Sequence, residues 1–181
     1  MSSPTFENLP RRSRRRLAAR ALLRPAVTAG GLGILYYQLP LGAQWSRGTV
    51  AGFLVGLVAV VALIAWQARA IATAAYPRVR AIEALATTIA YFVFLFSAAY
   101  FLVASSQPAA FNETLTRTDS LYFTVTVFTS VGFGDIVAVT EGARAMVIVQ
   151  MLGSLALLGA GARVLLSAVQ ARLRNTRDGS S

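Results

Sequence analysis

The sequence predicts an all-α integral membrane protein with four transmembrane helices, one re-entrant helix and a loop that follows it. The chain of 181 residues is 56% hydrophobic and 13% charged, which is about half the charged fraction of an ordinary soluble domain. Its apolar residues are grouped in blocks, and blocks of about 20 apolar residues are typical of membrane spans. All 17 basic residues are arginine, and most of them flank the blocks on one predicted side.

Four apolar blocks are the predicted spans. The first runs from Ala26 to about Ala43 and is interrupted by Gly30, Gly31, Gly33 and Pro40. The second runs from Thr49 to about Trp66, the third from Ala84 to about Ala104, and the fourth from Ala145 to about Val169. Because the second block contains no arginine, we predict that it does not act as a voltage sensor, which needs repeated charges within a span.

The distribution of arginines predicts the orientation of the spans. With the N-terminus inside, thirteen arginines flank the inner ends of the spans and three flank the outer ends. Positive residues accumulate on the cytoplasmic side, so both termini are predicted to be cytoplasmic in a multi-pass protein of the cell membrane. The run RRSRRR at 11–16 is interpreted as an anchor for anionic lipids and not as a nucleic-acid patch. The all-arginine basic set favours a bacterial membrane.

Residues 119–129 form an apolar segment that is too short to cross the membrane. The segment alternates apolar and polar residues as a strand would, but an open strand edge is not tolerated in lipid. As a helix it would cover about 16 Å, roughly half of the hydrocarbon core. We therefore predict a re-entrant half-helix that enters from the outer side, with Thr118, Asp119 or Ser120 as its N-cap. Residues 105–117 are predicted to be a polar outer loop.

The loop after the half-helix contains two glycines separated by one residue, Gly132 and Gly134. Glycine permits unusual dihedral angles, so alternating conformations would turn successive carbonyls in the same direction. The half-helix would point its partly negative C-terminal end at the membrane centre, where free carbonyls are costly unless something coordinates them. Four chains around one axis would present rings of oxygens that replace the water around a monovalent cation.

The residues of this loop resemble the signature of potassium channels: Thr129, Ser130, Val131, Gly132, Phe133, Gly134 and Asp135. In that family the TVGYG loop forms a selectivity filter of carbonyl oxygens. The resemblance covers about residues 84–170, which correspond to the family's outer helix, pore helix, filter and inner helix. It implies a homotetramer that conducts potassium passively. Potassium ions would be the only cofactor, bound by the carbonyls of Ser130, Val131, Gly132 and Phe133 and by the Ser130 hydroxyl.

Two residues of the loop depart from the family's usual letters. Ser130 stands where threonine is usual, and it lacks the methyl group that restricts the side-chain rotamer. Phe133 replaces a tyrosine and cannot donate a hydroxyl hydrogen bond to the pore helix. Residues of the pore helix are predicted to support the filter instead: Tyr122, Thr124 or Thr126. Asp135 matches the family's outer-mouth acid and is predicted either to raise the local cation concentration or to pair with Tyr122.

Three residues of the fourth block are candidates for gating. Gly153 and Gly159 are candidate hinges, with tight helix packing as the alternative. Arg163 is a charge inside an apolar block, which is a functional candidate unless the side chain snorkels to the interface. Gln150 is predicted either to face the pore or to bond a neighbouring helix.

The predicted domain organisation places a pore module behind two additional spans. Its parts are a basic cytoplasmic N-terminus (1–25), two spans with a cytoplasmic connector (26–82), the pore module (83–171) and a short cytoplasmic tail (172–181). The chain has no Cys and no His, and its seven acidic residues form no cluster, so we do not predict an enzyme. The alternatives to a potassium channel are a nonselective monovalent cation channel and a non-conducting accessory membrane subunit.

Overall fold

The computed structural model describes residues 11–38, 47–72 and 77–178, and this part of the chain is all-α. The five α-helices are α1 (Arg11–Gln38), α2 (Arg47–Ala72), α3 (Pro77–Ser106), α4 (Arg117–Phe128) and α5 (Glu141–Asp178). A short 3-10 helix, Pro108–Ala110, lies between α3 and α4. Among the described residues, β pairing is confined to one antiparallel bridge between Phe111 and Ala138.

Two helices in this part of the chain are long and apolar enough to cross a membrane. They are Arg80–Ser106 in α3 and Glu141–Arg163 in α5, which agree with the third and fourth predicted spans. The apolar stretch of α2, Leu54–Gln67, is shorter. The end of the predicted first span, residues 39–43, lies outside the described residues. The two N-terminal spans therefore stay predictions.

Helices extend beyond the predicted spans at both ends of the predicted pore module. Between the second and third predicted spans, α2 continues to Ala72 and α3 begins at Pro77. Proline is favoured in the first turn of a helix, where its missing N–H has no partner to lose. The residues expected to form the tail continue α5 as far as Asp178.

Helix α1 packs along α3 in the same direction. Near the start of α3, Arg24 forms an ion pair with Glu83 at 3.4 Å. Further along, Gly33 faces the ring of Phe94, which lies 3.4 Å from the position that a Cβ would occupy. Because both numbers rise together along the two helices, α1 and α3 are parallel.

Helix α2 packs along α3 in the opposite direction. The Thr88 hydroxyl donates a 2.8 Å hydrogen bond to the side chain of Gln67, and both residues are buried. Gly56 lies against Leu95, whose Cδ1 is only 2.5 Å from a hypothetical Cβ. The absence of a side chain at Gly56 therefore permits this approach, which agrees with the packing of small residues in membrane helix interfaces.

The core lies between α3, α4 and α5 and is dominated by aromatic rings. Neighbouring ring centroids within it are 4.7–6.1 Å apart. The rings belong to Phe92, Phe96, Tyr100, Phe111, Phe123 and Phe128. Edge and tilted contacts at such distances are favourable beyond the area that they bury. The core thus fixes α4 against α3.

The segment expected to be a polar outer loop is instead partly built into this core. Ala110, Phe111 and Leu115 are all buried. Ala110 ends the 3-10 helix that follows α3. The prediction of a polar loop over 105–117 was therefore wrong for these residues. Ala110 and Phe111 belong to a run of only three apolar residues, and Leu115 stands alone among polar ones, so no periodic pattern indicated burial.

Candidate ion-conduction site

Helix α4 begins with a capping box. Thr116 is the N-cap, with an extended backbone (φ −73°, ψ 173°), and its hydroxyl accepts a hydrogen bond from the Asp119 N–H. The Asp119 carboxylate accepts the N–H of Thr116 at 2.9 Å. The predicted caps Thr118, Asp119 and Ser120 were wrong, because these residues already lie inside the helix. Asp119 contributes as the third helical residue, the usual second half of a capping box.

The burial of α4 follows the helical period and not the strand-like alternation of its letters. Five of its six buried residues, Ser120, Phe123, Thr124, Val127 and Phe128, are spaced as one face of a helix. The sixth, Thr126, lies beside that face. Threonine and serine occupy part of that face because their hydroxyls bond within the helix, as Thr124 does to the Ser120 carbonyl. The twelve residues of α4 extend about 18 Å, so the prediction of a half-length helix is confirmed.

A buried glutamine holds the middle of α4. Gln150 of α5 is fully buried and donates a 2.8 Å hydrogen bond to the Thr124 carbonyl. Its side-chain oxygen accepts a 2.6 Å hydrogen bond from the hydroxyl of Tyr100, which is also fully buried. Of the two predicted orientations, Gln150 adopts the one that bonds neighbouring helices. Its side chain joins α3, α4 and α5 through polar groups that an apolar environment makes costly to leave unpaired.

The chain turns back on the last turn of α4. The Thr126 carbonyl accepts two hydrogen bonds, from the N–H of Val131 at 3.0 Å and from that of Gly132 at 3.3 Å. The Thr129 hydroxyl donates to the Val125 carbonyl at 2.8 Å. Because carbonyls at a helix C-terminus lack helical partners, these contacts satisfy part of the end of α4 and fix the start of the loop.

The backbone of the loop alternates in handedness. Positive φ angles occur at Ser130 (59°), Gly132 (51°) and Gly134 (81°), and not at Val131 or Phe133 between them. Two of the three residues with positive φ are glycines, as the sequence predicted. Ser130 is the exception, and a non-glycine residue with positive φ is uncommon. The side chains of 129–135 are all exposed on the single chain.

The far side of the loop is tied to α4 by a tyrosine–carboxylate pair. The Tyr122 hydroxyl donates a 2.7 Å hydrogen bond to Asp135, which is one of the two predicted arrangements. This bond lowers the pKa of Asp135 and raises the pKa of Tyr122, because it stabilises the carboxylate and the neutral phenol. The ring of Phe133 stacks on that of Tyr122 with centroids 6.3 Å apart and planes at 5°.

Asn112 fixes the point where the loop leaves the site. Its amide nitrogen donates to the Asp135 carbonyl at 2.6 Å, and its side-chain oxygen accepts the N–H of Val137 at 2.8 Å. Its backbone N–H donates to the Val137 carbonyl beside the bridge. No sequence pattern indicated this role, because Asn112 is separated from both of its partners by more than twenty residues.

The candidate gating residues fall into two environments. Gly153 packs against Phe92, whose ring carbon lies 2.7 Å from a hypothetical Cβ, whereas Gly159 has no neighbouring atom within 4 Å. Packing therefore explains the lack of a side chain at Gly153. Among the described residues, no contact explains it at Gly159. Arg163 is exposed at the end of the apolar part of α5. Their roles in gating stay predictions.

Comparison with known proteins assigns a class to this part of the chain. Residues 88–171 match the family described as "Ion channel". The matched segment includes most of α3, all of α4, the loop and most of α5. The comparison thus supports an ion channel and a membrane protein. No curated protein and no solved structure matched the chain.

Proposed function

We propose that the protein is a potassium-selective channel that conducts passively as a homotetramer, with the loop 129–135 of each subunit around a central axis. The observation that carries the proposal is the alternating backbone at Ser130, Gly132 and Gly134 directly after a half-length helix. Alternation of this kind lets consecutive carbonyls face one side, which is what a filter of backbone oxygens requires.

In this proposal the carbonyls of Ser130, Val131, Gly132 and Phe133 and the Ser130 hydroxyl bind dehydrated potassium ions. The hydrogen bonds from the loop to Thr126 hold the start of the filter on α4. The negative end of the α4 dipole favours a cation in the water just inside the filter. Asp135, whose pKa is lowered by Tyr122, keeps a negative charge at the mouth and raises the local cation concentration.

The exposed surface of α5 supports an assembly in the membrane. Large apolar side chains on this helix are exposed on the single chain: Ile148, Val149, Met151, Leu152, Leu155 and Leu158. An apolar surface of this extent marks contact with lipid or with another protein. We propose that α5 lines the interface between subunits. In the same proposal α1 and α2 span the membrane, the N-terminal arginines contact anionic lipids, and both chain termini are cytoplasmic.

Ion flux from liposomes tests the proposal. Purified protein in vesicles with an outward potassium gradient should release potassium, and replacing potassium by sodium should reduce the flux by at least tenfold. Gly132→Ala should abolish flux because its φ of 51° disfavours a side chain. Gly30→Ala is the matched control, since Gly30 lies in α1 and no atom lies within 4 Å of the added group. Absence of wild-type flux over a range of pH and voltage would reject conduction.

A nonselective cation channel is the second candidate, and the contacts of Phe133 favour it. Phe133 is 71% exposed, and its described ring contact is the stack on Tyr122. A phenylalanine supplies no hydroxyl with which to brace the filter, so the carbonyl rings would be held less rigidly. Equal sodium and potassium fluxes in the liposome assay would favour this candidate. A four-fold particle in nanodiscs would agree with either channel, whereas a stable monomer would reject both.

A further inference from the structure

Helix α1 lies outside the segment that matches the ion channel family, but it contacts the start of α4 within that segment. The Tyr36 hydroxyl donates a 2.7 Å hydrogen bond to the Arg117 carbonyl. In return, the Arg117 guanidinium donates to the Tyr36 carbonyl. Tyr36 is only 3% exposed. The pair therefore joins the C-terminal end of α1 to the first residue of α4 by two hydrogen bonds in opposite directions.

Neighbouring residues extend this contact. The hydroxyls of Tyr37 and Thr118 are 3.0 Å apart and share a hydrogen bond. The Arg117 guanidinium lies over the ring of Phe101 in α3, 5.1 Å from its centroid, which is within the range of a cation–π interaction. The start of α4 is thus held by α1 from one side and by α3 from another.

The middle of α1 is also attached to the pore module. Arg24 and Arg80 both pair with the Glu83 carboxylate, at 3.4 and 3.0 Å. Between Arg24 and Tyr36 the helix extends about 18 Å. Because α1 is attached to the module at its middle and at its C-terminal end, a displacement along its axis would move the first turn of α4.

From these contacts we infer that α1 is a positioning helix for the filter, with Tyr36 and Tyr37 as its positioning residues. Two sets of contacts connect α1 with the loop. The C-terminal end of α1 holds the first turn of α4, and the Thr126 carbonyl near the C-terminal end of α4 holds the start of the loop. Loss of the tyrosine hydroxyls would let α4 shift and would loosen the loop. This inference rests on the proposed function for its effect on selectivity, but the positioning itself is independent of conduction.

Hydrogen exchange of the whole protein in nanodiscs tests the positioning directly. In the Tyr36→Phe/Tyr37→Phe variant, amides of α4 and of residues 129–135 should exchange about two- to tenfold faster, as the loss of a hydrogen bond of ordinary strength predicts. Tyr91→Phe is the matched control. Tyr91 lies on α3 in the groove beside α1, and among the described residues its hydroxyl has no hydrogen bond. This control should leave exchange in both segments unchanged.

Bi-ionic liposome flux provides the second measurement on the same variants. The double variant should lower the potassium-to-sodium flux ratio at least threefold, whereas Tyr91→Phe should leave it at the wild-type value. Unchanged exchange of 129–135 in the double variant would overturn the inference, whether or not the protein conducts. If wild-type protein gave no flux, the proposed function would fail, and the exchange measurement would still decide the positioning role.

Discussion

The Gln150 network gives the most demanding prediction for the support of α4 and of the loop 129–135. Gln150→Leu keeps the approximate volume of the side chain but removes both hydrogen bonds, to Thr124 and from Tyr100. It also leaves the Tyr100 hydroxyl buried without a partner. Each lost bond contributes about 0.5–1.5 kcal/mol, and the stranded hydroxyl about 1–3 kcal/mol. Hydrogen bonds in membrane interiors fall near the low end, at about 0.6 kcal/mol. Two bonds at that lower value and one stranded hydroxyl together predict a loss of about 2–4 kcal/mol in the free energy of unfolding.

A double-mutant cycle separates the network from a simple change in packing. Tyr100→Phe removes the stranded hydroxyl, so Gln150→Leu/Tyr100→Phe should be more stable than the sum of the single effects predicts. The expected coupling is about 0.5–3 kcal/mol, the range for residues in one hydrogen-bond network. Thermal or denaturant unfolding in one detergent would give all four free energies. Additive effects within about 0.5 kcal/mol would refute the network.

A control variant distinguishes the support that Gln150 gives to α4 and the loop 129–135 from its contribution to the stability of the whole protein. Gln67→Leu is a matched control because Gln67 is also buried and accepts a hydrogen bond, from Thr88, away from α4. Both glutamine variants should lower stability. Only Gln150→Leu should raise amide exchange in α4 and residues 129–135. An equal rise in both variants would show that Gln150 acts through overall stability alone.

Three further predictions concern the glycines, the mouth and the strained serine. Gly153→Ala should cost up to about 3 kcal/mol of unfolding free energy through overpacking, whereas Gly159→Ala should gain up to about 1 kcal/mol through helix propensity; equal effects in thermal unfolding would contradict the packing role. Because its pKa is lowered, Asp135 stays ionised from neutral to mildly acidic pH. Its pairing with Tyr122 is therefore fully present above the ordinary carboxyl pKa, and it is lost as the pH falls through the lowered pKa of Asp135. Potassium flux should follow this course, and a decline that already occurs near neutral pH would contradict the assignment. Ser130→Gly should relieve the positive φ and raise stability slightly, but it removes the hydroxyl and should weaken potassium binding measured by isothermal titration; unchanged affinity would argue against a role of that hydroxyl.

The sequence predicted the helical part of this protein from length and composition. Residues 119–129 have letters that alternate like a strand, yet their short length relative to the bilayer indicated a half-helix, and α4 confirms it. The position of the loop followed from its resemblance to a known signature. The positive φ at both glycines agrees with the reason given for their presence.

Tertiary contacts could not be predicted in the same way. Thr118, Asp119 and Ser120 were the predicted caps of α4, whereas the extended backbone at Thr116 makes that residue the N-cap. Gln150 was recognisable as a polar residue in an apolar block, but its partners lie on two other helices. Tyr36 gave no signal, because its role depends on where the end of α1 meets the start of α4.

The bridge between Phe111 and Ala138 brings together the chain that leads into α4 and the chain that follows the loop 129–135. Backbone hydrogen bonds between 110–112 and 137–139 hold the two ends together. Closing a chain segment becomes costlier only slowly with its length, by about 0.6 kcal/mol for each doubling. That cost is met here by backbone pairing at the base of the segment. The two ends of α4 and its loop are therefore anchored to each other, so a shift of residues 110–112 would be carried directly to residues 137–139.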